Sequence, residues 1–160
     1  MIVLPFPPPP LAVLRALELL QNARRGDRGR VAQAGAVADL ERPWEPAACS
    51  GELSTAVWIW CDDVVAWINH EYAWRPAQMV PACWRLHAHI ARELPVLAVL
   101  RWESETAASP QLTEEWNRYA FPTFCDRMAQ RLGESTCRTG RHQDWPAGSR
   151  YTAFLDASPR

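Results

Sequence analysis

Apolar positions recur at helical intervals through the middle of the chain. Leu53, Val57, Trp60, Val64, Trp67, Glu71 and Trp74 alternate steps of four and three and lay one seam along a helix from about Ser54 to Trp74. Val65, Ile68 and Tyr72 widen the stripe, so this helix is expected to be buried on two sides. Ser54 or Thr55 suits its cap, and Pro76 bars simple continuation. A second helix is expected from about Pro81, with Leu86, Ile90, Leu94, Leu97 and Leu100 on one face and a kink or break at Pro95. A third, from Gln111 to Leu132, carries Leu112, Trp116 and Tyr119, then Phe124, Met128 and Leu132 beyond a bend at Pro122. Gly133 is placed to end it.

The flanks read differently. Residues 1–10 hold Pro5 and Pro7 through Pro10, which favour polyproline II. Such a segment can dock an aromatic-lined groove, but a free leader is the expectation here. Residues 11–25 form a short helix that needs a partner surface, and 26–52, rich in Gly, Ala, Pro and charge, read as a flexible linker. The helical domain is expected over 53–138. Residues 139–160 read as a loop-rich tail packing through Trp145, Tyr151 and Phe154. No stretch alternates as a strand does. The expected fold is therefore all-α, a compact bundle of three main helices, two of them proline-kinked, plus the short N-terminal helix.

Composition changes this picture little. All 17 basic side chains are Arg against 18 acids, for a net charge of -1. Replacement of every Lys by Arg, with abundant Ala and Pro, points to GC-rich coding more than to a ligand. A near-neutral balance argues against a surface that clings everywhere to nucleic acid. No run of 18 apolar residues exists to cross a membrane, and the N-terminus lacks the basic region of a signal peptide. Five cysteines, an odd number without an export signal, suggest reduced thiols and a cytoplasmic setting.

Candidate chemistry is sparse. Cys137 and His142, with four residues between them, could chelate zinc. Cys125 is the candidate third ligand, and Cys61, His87 or His89 could complete the set. No C-x-x-C accompanies the pair and no second paired spacing is read, so thiols packed as small hydrophobes, and no cofactor, are expected. His70-Glu71 begins an H-E-x-x-H pattern, but Trp74 stands where the second His belongs. Cys61 is followed by Asp62 and Asp63, whose charges oppose thiolate formation. With no phosphate-cradling or nucleophile motif, enzymatic activity has no constellation behind it.

The nine Trp are the most unusual feature. Trp58, Trp74, Trp84 and Trp116, with Arg75, Arg85 and Arg118, are candidate anchors for another protein or a second copy of the chain. The alternative is nucleic-acid contact through Arg24, Arg25, Arg28 and Arg30, which could neutralise phosphates.

The stretches WIWCDDVVAWINHEYAWRP, PACWRLHAHIARELPVLAVLR and EEWNRYAFPTFCDRM resemble a set of uncharacterised, Trp-rich helical proteins of actinobacteria often found with conjugative or integrated mobile elements. The resemblance spans about residues 53–145, with the aromatic spacing as its most specific part. It implies a helical fold and a bacterial cytoplasmic setting. It brings no active site, and the region before residue 50 falls outside it. The expected function is a non-enzymatic accessory or adaptor protein acting through protein–protein contacts.

Overall fold

The seam that begins at Leu53 becomes the central helix of the molecule. The computed structural model describes residues 3–25, 39–144 and 146–157, and among these the chain is helical, without strands. Five helices result: α1 (Leu11–Arg24), α2 (Gly51–Glu71), α3 (Ala88–Glu105), α4 and α5 (Pro146–Ala157). Helix α4 is interrupted; its parts Gln111–Glu115 and Phe121–Leu132 are joined by a π-helical turn, Trp116–Ala120. All-α is the observed class, in an arrangement that departs from three long helices and one short one.

Helix α2 buries Leu53, Val57, Trp60, Val64 and Trp67 along the expected seam, and Cys61, Val65 and Ile68 beside it. It ends at Glu71, short of Trp74, which stands 87% exposed. The Gln78 side chain accepts from the Trp74 and Arg75 amides at 3.2 and 3.1 Å, closing the turn that Pro76 opens.

The second helix starts later than its proline suggests. Pro81 serves a turn, Trp84–Leu86 form a single 3₁₀ turn, and α3 begins only at Ala88. A first-turn proline suits either geometry, since its fixed φ fits both. Leu86 consequently lies outside the helix and is exposed. Pro95 sits buried within α3 without ending it. In α4, the missing N–H of Pro122 would have paired with the Arg118 carbonyl. The wider π turn immediately before it absorbs that irregularity.

The leader is not free. Phe6 is buried, with its ring edge-on to Trp60 and Trp67 at 6.2 and 5.0 Å. Extended polyproline-type backbone leaves its carbonyls without internal partners. Two of them accept indole protons here: Trp60 Nε1 donates to the Pro7 carbonyl at 2.9 Å, and Trp67 Nε1 to that of Leu4 at 3.0 Å. The Leu4 amide donates to Glu71 Oε1 at 3.0 Å. The segment is therefore a strap along α2, docked in an aromatic groove of its own chain.

The expected linker is also partly built. Leu40, Pro43 and Pro46 are buried, with a 3₁₀ turn at Pro46–Ala48. Residues 26–38 of that linker, Arg28 and Arg30 among them, lie outside the described residues, as does Trp145. The tail, expected to be loop, ends in helix α5. Its Tyr151 and Phe154 stand exposed.

At the edge of the core, Arg101 is buried with its guanidinium 5.5–5.6 Å from the ring centroids of Phe6, Trp67 and Trp116. It pairs with Glu105 at 2.6 Å and donates to Ser104 Oγ at 2.7 Å. A planar, weakly hydrated cation suits this enclosure better than an ammonium would.

Candidate functional site

Two features stand apart from core packing. The first is an open apolar groove of about 560 Å³ between α3 and α4. Its floor includes Leu97, Trp116 and Phe124, and Val96, Leu100 and Tyr119 line it while staying 40–60% exposed. Charged groups flank the groove rather than converge in it. Glu93 receives Arg127 at 2.7 Å and Arg131, and Glu103 faces Arg24 at 3.7 Å. No histidine or cysteine lines it.

The Trp and Arg candidates separate into distinct settings. Trp58, Trp84 and Arg85 come together. Arg85 stacks over Trp84 at 5.6 Å, donates to the Trp58 carbonyl at 3.0 Å and pairs with Asp62, which also accepts from Trp84 Nε1 at 3.1 Å. Trp84 is buried and Trp58 half-buried beside it, at 5.7 Å between rings. Trp116 is buried as well, and its Nε1 donates to the Leu97 carbonyl at 3.1 Å. Trp84 and Trp116 are thus packed in the core, Trp116 also at the floor of the groove. Trp74 and Arg75 are exposed at the corner after α2, and Arg118 pairs with Glu114 on the surface at 2.7 Å. Arg24 and Arg25 sit at the C-terminal end of α1.

The second feature is a cluster of cysteine and histidine. Ligand atoms of Cys83, His87, Cys137 and His142 all lie within 4.8 Å of one another. Cys83 Sγ is 3.4 Å from His87 Nε2, and Cys137 Sγ is 3.8 Å from His142 Nδ1. His87 precedes α3 with extended backbone (φ -105°, ψ 98°), which places its ring against Cys83. Burial, foremost, and the nearby His142 lower the His87 pKa. Burial and the neighbouring Cys137 thiol raise the pKa of Cys83. The second pair comes from the loop after α4, where Thr136–Thr139 form a 3₁₀ turn ended by Gly140 at φ +84°.

Cys137 and His142 are thus brought together as their spacing suggested, but Cys125 is not with them. It is buried in α4, where desolvation and Asp126 push its thiol up to about 12. Cys61, fully buried in α2, is likewise raised, by desolvation first and Asp62 second. These two thiols do pack as small hydrophobes. The remaining places are taken by Cys83 and His87, a pair with three residues between them. That spacing is the signal in the sequence that marks this second pair. His70 meets Glu71 at 2.7 Å on the surface, apart from this cluster. Comparison with protein-family models, with curated proteins and with solved structures gave no match to the chain.

Proposed function

We propose that the chain is a non-enzymatic accessory protein that works by protein–protein contact, in the conjugation-related setting that the resemblance implies. The observation that supports this reading is the α3–α4 groove, apolar at its floor and charged at its flanks. From Arg92 to Glu103 it follows about three turns of α3, roughly 16 Å. That length and lining suit the apolar face of an amphipathic helix from a partner protein. Exposed Leu100 and Tyr119 would be its anchors, with Glu103 and Glu115 selecting basic residues on the partner's flanks.

The test uses the full chain as bait in its native host, wild type against Leu100→Asp/Tyr119→Ser, with Ile59→Ala on α2 as a surface control. Light scattering establishes whether a second copy is the partner. A defined protein retained by wild type and the control, and lost from the groove variant, supports the reading. Identical recoveries from all three overturn it.

A further inference from the structure

We propose that Cys83, His87, Cys137 and His142 bind one zinc ion as a closed, structural Cys₂His₂ site. The geometry is that of zinc's own coordination shell. Zn–S and Zn–N bonds of ordinary length place tetrahedrally arranged sulfur and nitrogen about 3.5 Å apart. The two pairs measured here stand at 3.4 and 3.8 Å. The remaining separations stay within 4.8 Å, close enough for small side-chain rotations to complete the tetrahedron. Two thiolates and two neutral imidazoles match the charge and softness that zinc selects. Four protein ligands leave no open position, so the ion would hold structure and not perform chemistry.

The surroundings are those of a metal site. His142 Nε2 faces Asp144 Oδ1 at 3.2 Å, which fixes the ring and turns Nδ1 towards Cys137. A carboxylate on the far nitrogen is a common partner of metal-bound histidine. The Gln143 amide donates to Cys137 Sγ at 3.2 Å, which holds the sulfur in place in the loop. On loading, the two thiols give up their protons to solvent and the sulfurs take the metal instead.

The fold supplies an independent reason for the ion. From Gly133 to Asp144, Cys137 is the only buried residue. A twelve-residue stretch with one small buried side chain gains too little from apolar burial to offset the entropy of its ordering. The two ligand pairs join this stretch to the turn before α3, with Cys83 54 positions before Cys137 and His87 55 before His142. A metal crosslink between them supplies what the missing core does not.

The experiment uses the full chain without a histidine tag, expressed with zinc and purified under reducing conditions. Elemental analysis should give one zinc per chain. Metal-stripped protein titrated with Co²⁺ should develop the visible bands of tetrahedral cobalt with thiolate charge transfer, and zinc should erase them. Cys137→Ser and His142→Ala should each lose stoichiometric zinc and the thiolate-ligated tetrahedral spectrum, while Cys125→Ser and Cys49→Ser retain both. The cobalt titration reads binding even where the stripped protein is partly unfolded. Zinc below a tenth of stoichiometric together with no cobalt bands overturns the proposal. So does binding that survives in Cys137→Ser and His142→Ala, or that disappears in Cys125→Ser with its fold intact. Recovery of a different metal in the site overturns the assignment to zinc.

Discussion

The leader, residues 3–10, and the loop after α4, residues 133–144, are two irregular segments laid against the same helical body, and they are held in opposite ways. The leader places Phe6 against two indoles and gives its carbonyls to indole donors. Its anchorage is apolar area with satisfied hydrogen bonds, which water itself drives. The loop buries only Cys137 and gathers thiols and imidazoles at one point. With the proposed zinc bound, its anchorage would reside in ligand chemistry. Absence of regular structure thus says nothing about how firmly a segment is fixed; the identity of its few inward-facing side chains decides that.

Removal of the wall behind the leader tests the contrast most severely. Trp67 packs on Phe6, Tyr72 and Trp116, faces the Arg101 guanidinium and donates to the Leu4 carbonyl. Trp67→Ala should therefore cost about 4 kcal/mol in urea denaturation, the middle of the range for buried aromatics. Hydrogen exchange on the surviving native fraction should show the leader deprotected and the Cys137 loop unchanged. Equal deprotection of both segments would mean that one core holds them, and the contrast would fail.

Phe6→Ala sharpens the same point from the leader's side. It deletes one buried ring while leaving α2 whole, so the expected loss is about 3 kcal/mol. A loss below about 0.5 kcal/mol, the range of ordinary surface substitutions, would show the strap to be a passenger on α2. Hydrogen exchange at the Leu4 amide should then be alike in wild type and variant.

What the sequence made legible follows the range of the interaction concerned. The seam of α2 was readable because its period is local, and Trp60 and Trp67 fall inward accordingly. Trp74 continued the same count but lies beyond the last helical residue, and a count cannot sense that stop. The proline at 81 was ambiguous between a turn and a helix start, and the structure takes the turn. Docking of the leader was legible only as a general capacity of polyproline, not as the groove it enters, because its indole partners lie 53 and 63 positions away. The Cys–His cluster is intermediate. Each pair is a short spacing open to inspection, Cys83 with His87 as much as Cys137 with His142. Their meeting depends on the turn before α3 and the loop after α4 reaching one place.

The smallest effect concerns the leader's polar end. The Leu4 amide on the Glu71 carboxylate, foremost, and the neighbouring His70 hold that carboxyl below the ordinary glutamate range. A folded-state pKa lowered in this way contributes stability that is complete above the unfolded value, about 4.3, and is lost as pH falls through the folded one. Hydrogen exchange of the leader, followed from about pH 6 to about pH 3 and corrected for intrinsic rates, should show protection declining only at the acid end. In Glu71→Gln the amide oxygen still accepts from Leu4, but as a weaker, uncharged acceptor. Protection should then be slightly lower at neutral pH and level across the range, the two proteins converging in acid. The same acid-induced decline in Glu71→Gln would place the pH sensitivity elsewhere. The leader would then be held by Phe6 and the indole donors alone, which draws the contrast with the cysteine–histidine loop still more sharply.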